Sequence, residues 1–344
     1  METFLGIELA TWWYLVVGAA FTGYVILDGF DLGVGLIHLF FKKEESRRIS
    51  LNAIGPVWDG NEVWLVIGGG ALFAGFPEVY ATLFSAFYIP FMLFLVMIIF
   101  RAVSIEFRSK EPMLWWRKMW DTAFAISSGL IAFLLGVVLG NVLLGFEIDA
   151  NGNFTGSWLD FLNPYAILVG ITTVAMFMMH GSLYLVMKTR DRMYAKLSII
   201  SKNTTIFFVI SYLILTVYTL IYIPHLTDNF TNNPALFVLP LLAILLVANI
   251  TRQVAKRKFM GAFISSALSM AILLILVAIE LFPVILLSTT NPEYSLTAFN
   301  ASASEKTLEI MLTIAAIAIP LVGFYTGFVF WTFRGKTVVD KDSY

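Results

Sequence analysis

Residues 12–41 read WWYLVVGAAFTGYVILDGFDLGVGLIHLFF. As a helix this run is long enough to cross a bilayer, for which about 20 apolar residues suffice. It nevertheless holds two aspartates, Asp28 and Asp31, among Gly29, Gly33 and Gly35, with His38 near its end. The acids stand where water is scarcest, and the rest of the chain has to account for them.

Similar apolar runs recur throughout. Of 344 residues, 59% are hydrophobic and 13% charged, about half the roughly 25% charged share of soluble domains. An all-α, multi-pass integral membrane protein follows. A net charge of −1 gives no electrostatic case for nucleic acid as a partner. The absence of cysteine excludes disulfides, iron–sulfur clusters and thiolate zinc sites. The opening METFLGIELA is acidic and the first apolar run exceeds a signal-peptide core, so it reads as a retained span.

Nine spans are predicted, near 12–41, 53–76, 79–100, 120–145, 164–187, 203–223, 235–250, 260–287 and 308–332. Of the 22 basic residues, 21 fall on alternate connections or the tail, which holds Arg334, Lys336 and Lys341; only Lys306 lies elsewhere. Basic connections stay cytoplasmic, so the N-terminus is expected outside and the C-terminus inside. Trp12, Trp13, Trp115, Trp116, Trp120 and Trp331 sit near predicted span ends, as interfacial aromatics do.

LVVGAAFTGYVILDG (15–29) aligns without gaps on ILVGITTVAMFMMHG (167–181), setting Gly18 on Gly170, Gly29 on Gly181 and Asp28 on His180. A parallel repeat of four-helix units plus a ninth helix is one reading; chance similarity between two apolar helices is the other. The expected organisation is a first unit (1–145) with the acidic clusters, a second (146–287), then an outer loop, ninth helix and cytoplasmic tail (288–344). Two four-helix bundles plus one peripheral helix result.

Asp28, Asp31, Gly35 and His38 share one helix face, with Asp28 about 15 Å from His38 along the axis. Gly29 and Gly33 have the spacing that lets another helix approach. The next span holds GPVWDGNEVW (55–64), with Asp59 and Glu62 three apart, Asn61 between them, and Pro56 and Gly60 loosening the helix. Each unsupported acid costs about 2.5–3.5 kcal/mol to insert, so four approach roughly 10–14 kcal/mol. They must face the interior, share protons or line water. A proton or cation path is the sharper reading; interhelical hydrogen-bond glue is the blander one.

Other residues carry less. Gly68-Gly69-Gly70 reads as close helix packing. Glu280 stands near the outer end of the eighth span. Asp121 opens the fourth span, where an N-cap and a functional acid are equal readings. Arg101 and Glu106 flank the end of the third span as a structural pair. The histidines are His38, His180 and His225, and no two of them form the facing axial pair that a low-spin haem needs. No metal site is read here.

LDGFDLGVG, WDGNEVWL followed by GGGALFAGFPEVYA, FRAVSIEFRSK followed by WRKMWD, LNPYAILVG, and FPVILLSTTNPEYSLTAFNAS running into FWTFRGK closely resemble subunit II of the cytochrome bd-type quinol oxidases. The resemblance covers essentially the whole chain; residues 188–260 and 146–160 carry little of it. It implies the non-haem partner of a haem-bearing subunit I, together an electrogenic quinol:O2 oxidoreductase of the prokaryotic cell membrane. The haems, b and d or b alone, would sit in subunit I, with a membrane quinol as substrate. Acids at the positions of Asp28 and Asp59 are implicated in proton uptake, giving a path of Asp28, Asp31, His38, Asp59 and Glu62. A structural quinone near Trp58, lipids and a small single-span accessory subunit are further expected partners. His180, Arg101, Asp121 and Glu280 are interface or structural candidates. The rival reading is a proton- or cation-coupled secondary transporter; a purely structural subunit is a third.

Overall fold

The computed structural model describes residues 3–338. Lys341 and the first two residues of the acidic opening lie outside them, as does the side chain of His225. Twelve α-helices are present among the described residues: α1 (Leu9–His38), α2 (Glu44–Ile54), α3 (Trp58–Gly75), α4 (Pro77–Ala86), α5 (Tyr88–Phe107), α6 (Leu114–Leu144), α7 (Pro164–Lys188), α8 (Asp191–Tyr222), α9 (Asp228–Asn232), α10 (Val238–Ala255), α11 (Phe259–Leu281) and α12 (Glu305–Thr332). Eight of them are long and apolar enough to cross a membrane. α3, the second predicted span, is not among the eight, because Asp59, Asn61 and Glu62 in its first turns lower the mean hydropathy of its 18 residues.

The element boundaries correct several expectations. The span predicted at 53–76 is split, since α2 ends before Gly55-Pro56 and α3 starts at Trp58; proline lacks the N–H that a continuing helix requires. The span predicted at 79–100 is α4 and α5, separated at Phe87. α6 begins at Leu114, so Asp121 lies two turns inside the helix and is no N-cap. α11 stops at Leu281, and Val284–Leu286 forms a strand paired with Leu296–Thr297.

α1 and α7 pack against each other at the centre. α3 and α6 also lie on α1, α5 packs on α6, α8 and α11 pack on α7, and α10 packs on α8 and α11. α12 touches α1 and α3 and is almost wholly exposed. The predicted Gly29/Gly33 approach is present. A Cβ at Gly33 would overlap the Phe177 carbonyl, and one at Gly29 would lie 2.9 Å from the Phe177 ring. Gly68 meets Phe21 in the same way, but Gly69 and Gly70 have open space beside them, which corrects the reading of all three as packing glycines. Trp13 is likewise buried rather than interfacial, donating to the Ala71 carbonyl at 2.8 Å.

Hydrogen bonds tie the connections together at each end. Thr337 N donates to Lys188 O (2.8 Å), Lys188 Nζ to Phe333 O (2.7 Å), and Lys196 Nζ to Phe40 O, all among the basic connections. At the other end Phe146 N donates to Leu287 O and Ala303 N to Gly75 O, both at 2.8 Å.

Candidate functional site: two polar layers on helix α1

Asp28, Asp31 and His38 are all fully buried, so the face predicted for α1 points into the protein. Its polar groups form two layers.

The inner layer is built around Asp28. Arg101 of α5 approaches it through both terminal nitrogens, Nη1 to Oδ2 at 3.0 Å and Nη2 to Oδ1 at 2.5 Å. Both side chains are completely buried, and Tyr24 is buried beside them one turn away. Arg101 is therefore the counter-charge of Asp28 and not a surface partner of Glu106. Glu62 Oε1 stands 3.7 Å from the same guanidinium. Asn61 Nδ2 donates to Asp31 Oδ2 at 2.7 Å, while Asp31 Oδ1 has no hydrogen-bond partner among the described residues. Bidentate arginine suits this place because its planar fork matches a carboxylate and its charge is always present.

Asp59 does not join this layer. It is exposed, and with Glu62 it lines an open groove of about 720 Å3 between α3, α4, α5 and α6. Gly69 and Gly70 form part of that wall, and Phe73, Phe84 and Phe91 make most of the remainder apolar. Trp58, the first residue of α3, is buried in the adjoining core with Val57 and Ile105.

The second layer lies at the end of α1. His38 Nε2 is 2.6 Å from Asp121 Oδ1, and Nδ1 is 2.9 Å from Ser50 Oγ. Asp121 also accepts from Arg47 Nη1 (2.7 Å) and Arg108 Nε (2.5 Å). Arg108 continues to Glu44, at 3.1 and 2.8 Å, and Arg117 reaches the same carboxylate at 3.1 Å. Arg108 lies just beyond α5; burial works against its charge, but Asp121 and Glu44 outweigh that, and its pKa is raised.

The carboxylate beside Nε2 fixes the proton of a neutral His38 on that nitrogen. Ser50 Oγ lies 2.9 Å from Nδ1 and 2.8 Å from the Arg47 carbonyl. Its hydroxyl proton serves one acceptor at a time. A singly protonated His38 accepts from Ser50, whereas a doubly protonated one donates to it and turns the hydroxyl towards Arg47.

His180 belongs to neither layer. Nδ1 is 2.6 Å from Ser266 Oγ, Nε2 donates to Ile26 O at 3.1 Å, and the ring stacks on Phe263 at 4.4 Å. It links α7, α11 and α1. Glu280 lies at the far end of α11, where its backbone carbonyl accepts from Asn229 Nδ2 at 3.0 Å. Both nitrogens of His38 and of His180 are engaged, so neither offers the free imidazole that an axial haem bond needs. The described residues contain no group of three or more His, Asp or Glu able to hold a metal ion.

Sequence reasoning placed Asn61 in the second acidic cluster without giving it a role, and missed Ser50, Arg47, Arg108 and Glu44 as members of the site. Arg101 carried the clearest signal: a lone arginine between Ile98-Ile99-Phe100 and Ala102-Val103 has no route to water and needs a buried acid.

The profile of the family described as "Cytochrome bd terminal oxidase subunit II" matches residues 9–333. The chain is 32% identical over 355 aligned residues to "Cytochrome bd-I ubiquinol oxidase subunit 2" of Escherichia coli K12, covering 94% of each chain. It is 34% identical over 327 residues to "Cytochrome bd ubiquinol oxidase subunit 2" of Bacillus subtilis 168, covering 93% of this chain and 94% of that one. Its fold is similar to a chain of the bd oxidase from Geobacillus thermodenitrificans, with a TM-score of 0.77 and 17% identity over 94% of this chain and 98% of that one.

Proposed function

Given that the chain belongs to the cytochrome bd terminal oxidase subunit II family, we propose that the polar face of α1 carries protons from the basic end of the protein to the partner subunit. The chain is a subunit of a quinol oxidase complex and a multi-pass protein of the prokaryotic membrane. That membership displaces the secondary-transporter reading.

The observation that carries the proposal is the exposure of Asp59 on an apolar groove. An acid facing hydrocarbon costs about 2.5–3.5 kcal/mol, so protein rather than lipid covers it in the complex. Asp59 then marks where subunit I docks and where protons leave. His38 and Asp121 receive them at the other end, and Asp31, Asp28 and Glu62 lie between. Arg101 balances one of these three acids; protons drawn along the path supply charge for the others.

Orientation follows from the basic connections, which gather at one end and belong on the cytoplasmic side. α3 then completes nine spans, and its polar first turns are tolerated because they face Asp31 and the partner. The division into two four-helix units, α1, α3, α5, α6 and α7, α8, α10, α11 with α12 outside them, rests on the internal sequence repeat; α1 and α6 both pack closely on α7, so the two units share one core. Haem is a cofactor of the complex; the engaged histidines of this chain support placing it in subunit I, as b and d or b alone. A structural quinone at Trp58 would meet only the edge of a ring that is 8% exposed. The exposed apolar flank of α12 leaves room for a single-span accessory subunit.

The test uses the intact complex with Asp59→Asn and Asp31→Asn. Quinol-driven oxygen uptake should fall by about tenfold, the factor equivalent to 1.4 kcal/mol, with haem content unchanged. Wild-type turnover in both variants would refute the path and leave the acids as helix glue.

A further inference from the structure

On α1, Asp31, Gly35 and His38 succeed one another, and Gly35 lies about 6 Å below Asp31 and about 4.5 Å above His38 along the axis. Nothing on α1 itself bridges the two layers, because position 35 has no side chain. The opposite helix fills the place. A Cβ at Gly35 would lie within the Ser128 side chain, 2.5 Å from its Cβ and closer still to its Oγ. Ser128 is completely buried, yet its Oγ has no hydrogen-bond partner among the described residues. Its neighbour Ser127, by contrast, donates to its own helix at Phe124 O. Seven residues from Ser128 on the same face of α6 stands Asp121, the acid that holds His38.

A buried hydroxyl without a partner costs about 1–3 kcal/mol, and serine at a helix interior normally returns its proton to a carbonyl of the preceding turn. Ser128 makes no such bond, and Asp31 Oδ1, one helical turn from Gly35 along α1, is also unpartnered. We infer that Ser128 is the relay between the two layers, bridged by water to Asp31 Oδ1 on one side and to the His38–Asp121 pair on the other. Ser128 Oγ takes one proton from the His38 side and gives its own hydroxyl proton towards Asp31, staying neutral. Rotation of the hydroxyl resets it. Gly35 is the opening this requires, since any side chain there displaces the hydroxyl. The polar ends suit water, which needs two to four polar partners in a buried site.

This inference rests on the proton path proposed above, and the experiment separates the two. In the purified complex, Ser128→Ala, Asp31→Asn and the wild type are compared by quinol-driven oxygen uptake in H2O and D2O, haem spectrum and thermal stability. A hydroxyl that only fills space is dispensable, and its removal leaves turnover unchanged. A relay predicts that Ser128→Ala loses about tenfold in turnover, the factor of one hydrogen bond of about 1.4 kcal/mol. It also predicts a larger solvent isotope effect, with stability equal to or above the wild type. Full turnover in Ser128→Ala with impaired Asp31→Asn overturns the relay and leaves the path standing. Full turnover in both overturns the path and the relay with it.

Discussion

Replacing Asp28 by asparagine is the most informative perturbation of the inner layer, because two effects are folded into it. The substitution deletes the carboxylate that receives Arg101 at 2.5 and 3.0 Å, in a place where both side chains are wholly buried. Breaking a buried ion pair by removing one partner costs about 3–5 kcal/mol, chiefly because the remaining charge is left unpaired. Glu62, 3.7 Å from the guanidinium, takes up part of that charge, which sets the expectation at the low end, about 3 kcal/mol. Against a total stability of about 5–15 kcal/mol, that is enough to lower the yield of assembled complex. A turnover defect in Asp28→Asn alone therefore says little about protons. The double-mutant cycle resolves it. Arg101→Gln alone should be similarly destabilising, and Asp28→Asn combined with Arg101→Gln should recover most of the loss, with a coupling of at least about 2 kcal/mol. The assay is thermal unfolding of the detergent-solubilised complex, followed by haem absorbance. Additive single-variant losses, or no loss in either single variant, would refute the counter-charge reading of Arg101.

Asp121→Asn should destabilise the complex by about 3–5 kcal/mol, since it strips His38, Arg47 and Arg108 of a shared acceptor. Glu44→Gln should cost less than about 1 kcal/mol, because that side chain is 42% exposed; the same melts check both. Gly33→Ala should cost about 1–3 kcal/mol by forcing α1 off the Phe177 backbone. Gly69→Ala and Gly70→Ala, with open space at the Cβ position, should leave the isolated chain unaffected and weaken only its pairing with subunit I, measured by co-purification. In the loop between α6 and α7, Asp149 accepts from the Asn153 and Asn151 amides, which holds its pKa below the ordinary 3.8. The turn is thus fully supported above 3.8 and loses that support as pH falls through the lowered value. Protection of those two amides against hydrogen exchange, taken relative to the intrinsic rate at each pH, should drop only in that acid window.

The helices were legible because hydropathy reports long apolar runs directly, and the resemblance of LDGFDLGVG and WDGNEVWL to known blocks pointed to the family. The breaks at Pro56 and Phe87 were less so. A proline can kink a span or end it, and Phe87 stands in an apolar run that hydropathy reads as continuous. Trp13 illustrates a different limit: composition places a tryptophan near a span end, but only packing decides that Gly75 makes room for it inward. The acids on α1 were visible as a helix face. Their partners were not, because Arg101 is 73 residues from Asp28 and Asp121 is 83 from His38. Ser128 carried no sequence signal at all; serine is ordinary in a membrane helix, and only the missing Cβ of Gly35 brings its hydroxyl against α1.

The two layers differ in charge balance, and that difference bears on what passes. At the basic end three arginines, Arg47, Arg108 and Arg117, are shared between two acids, Asp121 and Glu44. In the inner layer one arginine stands against Asp28 and Glu62, with Asp31 beside them. A sodium ion entering from the basic end would have to shed its water and travel past fixed guanidinium charges in a low dielectric, where repulsion is poorly screened. A proton need not travel as an ion. On the proposed path it would enter by exchange at His38, where Ser50 and Asp121 occupy the two ring nitrogens, and leave as a different proton on the far side. On that path the arginines would bar metal cations without obstructing hydrogen-bonded exchange, and the acid excess behind them would draw the exchanged charge inward. A cation-coupled carrier needs the opposite order, with acids at the mouth to dehydrate the ion. The order of charges along α1 favours proton uptake over transport of a metal cation.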